Sequence, residues 1–229
     1  MQKYKTISIV LCGALVVAPV SANAGLGGLA GGLGGIGRKL IGGNNEGVSS
    51  SDASSFLNGA LKSTKNVMIS AALLSQALKD RSQLAGRKAE IDAITNAQNF
   101  KELDSHRSTL ESDLSVLSGQ KDLAAGFVTS YQAGDANQKH LIALALGNLA
   151  IGVFRNVRLA SQAPGMVSGI GGNPQLLTRL GEFKLAASLL GLQGKGLVKI
   201  GGTLPTVMSA LKLKMPDQSE TTEPTTVAI

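Results

Sequence analysis

The sequence has little of the material from which catalytic and metal sites are usually built. Its 229 residues include two histidines, one cysteine and no tryptophan, and aromatic residues make up only 3% of the chain. A histidine-based triad or a cluster of metal-ligating side chains is therefore hard to assemble. We expect no metal, no cofactor and no enzymatic activity. The shortage of aromatic and β-branched runs also argues against a typical β-sandwich or β-barrel.

The chain is instead rich in leucine, alanine and glycine, with 43% hydrophobic and 16% charged residues. This composition is too apolar for a wholly disordered protein and predicts an all-α fold, an irregular helical bundle. Motifs of enzyme classes occur only in the wrong context. Residues 32–37 match G-x-G-x-x-G, but they lie in a glycine tract without the preceding strand that a dinucleotide site requires.

The first 24 residues have the pattern of a secretory signal peptide. Lys3 and Lys5 precede an apolar stretch from residue 7 to residue 18, and Ala22-Asn23-Ala24 forms a small-x-small cleavage site. An uncleaved membrane anchor is the alternative, but the apolar stretch is shorter than the ~20 residues of a spanning helix. We therefore expect export to the periplasm, the outer membrane or the cell exterior. Cleavage would remove the only cysteine, so the mature protein would have no disulfide.

Residues 25–50 form a glycine-rich leader with regularly spaced leucine and isoleucine residues. Glycine has a large backbone entropy cost on ordering, so we predict a flexible leader. The alternative is a contact segment whose small residues allow close approach to a helix or a bilayer.

The predicted helical domain covers residues 51–215. Its first helix starts after Ser51 or Asp52 and runs for about 25 residues. Residues 80–122 carry most of the charge and predict a helical hairpin that forms a charged arm, with a break at Asn96–Asn99. A narrow leucine stripe on this arm resembles a coiled-coil seam and predicts contact with a partner protein. The stripe residues are Leu103, Leu110, Leu114 and Leu117.

The apolar core of the domain is predicted within residues 139–215. Asp135 and Gln138 form a capping box before Leu141–Phe154, a fourteen-residue run without charge that predicts a central buried helix. We expect a break at 164–172, a helix from Asn173-Pro174 to Gly191, a loop at 193–202, a last short helix from 203 to about 215, and a disordered tail at 216–229.

Residues 139–215 are also the most basic part of the chain, with nine lysine or arginine residues and one acidic residue, Glu182. A basic surface beside apolar helices favours an anionic partner, either a membrane surface or an envelope protein. Nucleic acid is disfavoured because aromatic residues are scarce. The alternative is that the lysines only maintain solubility. The residues predicted to bind an anionic surface are Arg155, Arg158, Lys184, Lys195, Lys199, Lys212 and Lys214.

These patterns predict an exported, non-enzymatic interaction or structural protein of the cell envelope, and they leave homo-oligomerisation open. One alternative is a membrane-active protein in which Leu141–Phe154 and Leu185–Leu211 insert into a bilayer, although Lys195 and Lys199 interrupt the second segment. Another is a carrier of an apolar ligand in a cavity lined by methionines. The candidate lining residues are Met68, Met166 and Met208.

Overall fold

The computed structural model describes residues 48–217 and 224–227. The predicted signal peptide, the leader up to residue 47 and the remaining tail residues lie outside this part. The described residues are 86% helical and contain no strand, so the all-α prediction is confirmed.

Seven α-helices and three short 3₁₀ segments make up the described part. The α-helices are α1 (Ser50–Asp80), α2 (Lys88–Asn96), α3 (Phe100–Asp104), α4 (Arg107–Gly119), α5 (Leu123–Ala133), α6 (Ala136–Gly169) and α7 (Leu180–Ala210). The 3₁₀ segments are Arg81–Arg87, Ile170–Gly172 and Pro174–Arg179.

The three long helices α1, α6 and α7 form the centre of the bundle. Helix α6 packs most extensively against α1 and α7, while α4 lies against both α1 and α7. Phe56 of α1 and Phe183 of α7 stack with nearly parallel rings whose centroids are 6.0 Å apart. One continuous apolar core therefore connects all three long helices.

Several helix boundaries follow from local sequence. The backbone N–H of Gln138 donates to Asp135 Oδ1 at 2.9 Å, and the Asp135 N–H donates to Gln138 Oε1 at 3.0 Å, which confirms the capping box. The predicted break is also present, because α2 ends at Asn96 and Asn99 caps α3. Helix α1 begins slightly earlier than predicted, since Ser49 is its N-cap.

The apolar run Leu141–Phe154 forms the middle of α6, and none of its residues is exposed. It packs against α1 on one side and α7 on another. The run is therefore part of a central buried helix, as predicted.

The predicted loop at 193–202 is wrong, and the predicted break at 164–172 begins later than expected, at the 3₁₀ segment Ile170–Gly172. Helix α6 continues through Pro164 to Gly169, and α7 runs without a break through the predicted loop at 193–202 and through Pro205. Pro164 lies inside α6 on an exposed side of the helix. In α7, Gly196 and Gly201 face other helices, and a Cβ at Gly201 would lie 2.9 Å from Val153 Cγ1. The close packing of α7 outweighs the low helix propensity of glycine.

The end of α7 also differs from the predicted position near residue 215. The helix ends at Ala210, and Lys212 follows in the left-handed conformation with φ of 55°. The Lys212 N–H donates to the Ser209 carbonyl at 3.0 Å, and the Leu213 N–H donates to the Met208 carbonyl at 2.8 Å. This pair of bonds is the Schellman motif, which satisfies the last helical carbonyls.

Part of the C-terminal tail lies against the domain, contrary to the expectation of disorder. Thr225 makes two backbone hydrogen bonds with the side chain of Asn148 in α6, and Val227 packs against the apolar core. The described tail segment, residues 224–227, is therefore ordered by contacts that its polar composition does not reveal.

Candidate interaction surface

The leucine stripe predicted to bind a partner is buried inside the chain. Its four members are at most 4% exposed and belong to the continuous core. The structure therefore corrects the prediction: the stripe packs against the rest of this domain, and the charged segment folds back instead of projecting as an arm. An a/d pattern shows that a helix needs an apolar partner, but not whether that partner is in the same chain. The four buried residues are Leu103, Leu110, Leu114 and Leu117.

Helices α4 and α7 run parallel, in a register fixed by contacts along their length. Arg107 at the start of α4 donates to Ser188 Oγ at 3.1 Å. Leu114 in the middle of α4 lies against Gly196. At the end of α4, Lys199 Nζ donates to the carbonyls of Ser118 and Gln120 at 2.5 and 2.9 Å. The positive charge of Lys199 thus satisfies carbonyl groups at a helix C-terminus, where cations are stabilising.

The charged segment contains a buried ion pair that sequence reasoning missed. Asp113 is 2% exposed, and both of its carboxylate oxygens accept from Arg87 Nη2, at 2.5 and 2.6 Å. Ser75 Oγ in α1 also donates to Asp113 at 2.6 Å. The sequence did contain an indication of this pair. Asp113 lies on the same helical face as Leu110 and Leu117, where a charged residue is not solvated and needs a partner.

Glu90 extends this group, with an oxygen 2.8 Å from Arg87 Nη1. Burial raises the pKa of the Glu90 carboxyl above its ordinary value; Asp113 adds to this effect, and Arg87 and His106 oppose it. Because Arg87 and Ser75 already occupy the oxygens of Asp113, the group favours a structural role over proton transfer. No group of three His, Cys, Asp or Glu side chains suited to a metal ion occurs within 48–217 or 224–227.

The predicted basic residues separate into two environments. Arg155 and Arg158 are half-buried on α6, and both have interaction partners within the chain. Burial lowers the pKa of the Arg158 guanidinium. The remaining residues are exposed on α7 or just beyond its end. These are Lys184, Lys195, Lys199, Lys212 and Lys214.

One exposed face of α7 combines positive charge with an apolar side chain. We define the α7 face as the exposed residues at three- and four-residue spacing along this helix, which all lie on one side of it. Val198, near its middle, is 72% exposed, the largest exposure among the large exposed hydrophobic residues identified in the described part. The members of the α7 face are Lys184, Ser188, Gly191, Lys195, Val198, Gly202 and Thr206.

A second feature is a cavity of about 480 Å³ between α6 and α7 that is wide open to solvent. Its size is in the range of small-ligand sites, and its walls are almost entirely apolar. The three methionines predicted to line a ligand cavity are instead buried in the core, at most 4% exposed, and none lines this cavity. The lining residues are Ala160, Ala163, Pro164, Val167, Ser168, Ala187 and Gly191.

The segment Ala136–Gly172 is the one stretch in the described part that is long and apolar enough to cross a membrane. More than half of its most apolar window, 56%, is buried inside the domain. A core helix of a globular protein meets the same criteria, so this segment gives only weak support for insertion.

Comparisons of the chain with protein-family models, with curated proteins and with solved structures found no match. A function for this chain is therefore inferred from its own surface features.

Proposed function

We propose that this protein is an exported, non-enzymatic interaction protein of the cell envelope that associates peripherally with an anionic membrane surface. The α7 face carries the proposal, because Lys184 and Lys195 lie on it together with the highly exposed Val198. Lys212 and Lys214 are exposed just past the end of the same helix.

Along the sequence, the charge from position 139 to position 215 is almost entirely of one sign. Glu182 is the only acidic residue between positions 139 and 215, and its carboxylate is paired with Arg179 at 2.9 Å. Lys184 and Lys195 are eleven residues apart, about 16 Å along the helix axis. Two lysines at this separation can contact different lipid head groups at the same time, and Val198, three residues beyond Lys195, can enter the membrane interface beside them.

Vesicle binding tests the proposal. The double variant Lys184→Gln/Lys195→Gln should bind vesicles of anionic phosphatidylglycerol more weakly than the unchanged protein. Each lysine near an anionic surface contributes about 1 kcal/mol. The loss of two lysines should therefore weaken binding about 30-fold. Co-sedimentation at low salt measures this, and raising the salt should weaken binding of the unchanged protein.

The matched control is Lys79→Gln/Lys101→Gln, which removes the same charge from exposed positions on α1 and α3. We expect this control to retain most of the binding. Equal losses in both double variants would contradict a localised face and indicate only a general charge effect. Equal binding of the unchanged protein to zwitterionic phosphatidylcholine vesicles would contradict the electrostatic mechanism.

Export is tested separately by fractionating cells and determining the N-terminus of the protein in each fraction. The proposal expects a form that starts after Ala24, found with the membranes and released by a salt wash. Release by detergent but not by salt would favour the membrane-inserted alternative. Recovery of unprocessed protein from the cytosol would overturn export.

The α6–α7 cavity favours a second candidate function, carriage of a small apolar ligand. Native mass spectrometry of the purified protein would then show an additional bound mass. The substitution Ala187→Leu would fill part of the cavity and should remove that mass. Release of dye from anionic vesicles, by contrast, would support the membrane-active alternative, in which Leu141–Phe154 leaves the core.

A further inference from the structure

Asn148 is a polar residue in the middle of the buried uncharged run of α6, and it is 4% exposed. A buried side-chain amide is costly unless its donor and its acceptor both find partners. Here a single residue of the tail supplies both. The Thr225 N–H donates to Asn148 Oδ1 at 2.9 Å, and Asn148 Nδ2 donates to the Thr225 carbonyl at 2.6 Å.

The surroundings hold Asn148 in place for this contact. Asn66 of α1, which is 6% exposed, donates from Nδ2 to the backbone carbonyl of Asn148 at 2.6 Å. This bond holds α6 against α1 at the same residue that contacts the tail. Asn148 thus forms a site with a defined donor and acceptor that are directed at one peptide unit.

Both bonds go to the backbone of Thr225, so the site recognises an extended chain and not a particular side chain at this position. The adjoining Thr226 and Val227 are β-branched and favour extended conformations. Val227 adds an apolar contact with the core. The side chain that the site recognises is therefore Val227, two residues after Thr225. Alternate side chains are recognised in the same way where an extended peptide adds to the edge of a sheet.

We infer that Asn148 is the centre of a peptide-binding site, whose ligand is an uncharged extended segment, and that residues 224–227 of the same chain occupy it. The segment is linked to the domain through the six residues 218–223, and a connection this short gives an effective concentration of about a millimolar or more. A free peptide of equal intrinsic affinity would displace the tail only at a concentration above this effective concentration. The tail is thus both the ligand of the site and its cover.

The test uses the full chain with a fluorophore on a single cysteine, introduced as A228C together with C12S. Fluorescence anisotropy is high when the label tumbles with the domain and low when the tail moves independently. Asn148→Ala should lower the anisotropy by about twofold or more, because local motion of a free tail occurs in nanoseconds. Asn156→Ala is the matched control: it removes another buried asparagine of α6, bonded to Leu190 and Gln193, and should leave the anisotropy unchanged.

A second pair of variants changes only the tail, so it stays informative if Asn148→Ala does not fold. Thr225→Pro removes the N–H that Asn148 accepts and should release the label. Thr225→Ala keeps the N–H and the carbonyl and should leave the label docked. Equal anisotropy in these two variants would overturn the inference. A fall in anisotropy on dilution would also overturn it, by showing that the segment comes from a second copy of the chain.

Discussion

The close approach of α7 to α4 can be tested with two alanine substitutions in the same helix. A Cβ at Gly196 would lie 3.0 Å from Leu114 Cβ and 2.9 Å from Leu114 Cδ1, whereas a Cβ at Gly202 would meet no atom within 4 Å. Gly196→Ala therefore adds a methyl group inside a packed interface. Gly202→Ala adds the same group on the exposed α7 face.

The two substitutions share one energetic effect and differ in another. Alanine is favoured over glycine in a helix interior by about 1 kcal/mol, so Gly202→Ala should raise the free energy of unfolding by about that amount. Only at Gly196 does the methyl group overlap a neighbour. Overpacking costs about 1–3 kcal/mol, and Leu114 Cβ cannot rotate away because it is attached directly to the backbone. Gly196→Ala should therefore be less stable than Gly202→Ala by about 1–3 kcal/mol.

Urea unfolding and thermal unfolding followed by far-UV circular dichroism measure this difference. For a protein of this size, 1 kcal/mol corresponds to a shift of about 2–4 °C in Tm. Because the gain in helix propensity is common to both variants, the difference between them reports the α4–α7 contact. Identical midpoints for the two variants would refute the reasoning that Gly196 is needed for close packing.

Three further predictions concern other parts of the domain. Asp113→Ala should lower the free energy of unfolding by about 3 kcal/mol, because it leaves Arg87 largely buried without its main partner; a loss below 1 kcal/mol in urea would contradict this. The folded protein binds the proton of the Glu90 carboxyl more tightly than the unfolded chain does, because the pKa of Glu90 is raised by folding. The unchanged protein should therefore lose stability as the pH rises from the ordinary pKa of glutamate to the raised pKa of Glu90. Glu90→Gln has no such proton, so its stability relative to the unchanged protein should increase over this interval. Unfolding curves across that interval measure the effect, and a constant difference would contradict the assigned shift. Lys212→Gly should raise Tm, because it relieves a left-handed conformation that costs a non-glycine residue about 1–2 kcal/mol.

Local signals in the sequence predicted local structure well. The capping box at Asp135 depends on Gln138, three positions away, so the pattern contains both partners. The continuity of α7 could not be predicted in this way. Leu114 packs closely against Gly196 inside α7, and nothing near Gly196 in the sequence indicates this contact.

For the candidate surface too, the sequence predicted local properties but not contacts between distant residues. Composition identified residues 139–215 as basic, but only the fold shows that Lys195 is exposed on the α7 face while Lys199 caps α4. The position of Asn148 within an uncharged run was a visible signal, because a polar residue there requires a partner. The identity of that partner, Thr225, comes from a tail whose composition predicted disorder.

The parallel register of α4 and α7 has a consequence for how the chain folds. Parallel neighbours cannot be joined by a tight turn, and here α5, α6 and two 3₁₀ segments lie between them in sequence. Helix α4 thus gains its α7 contacts only after a long loop has closed, and contacts of this kind slow folding. During synthesis α4 leaves the ribosome well before α7 does. The charged segment 80–122 should therefore not fold as an independent unit, and as an isolated peptide we expect it to show little stable helix.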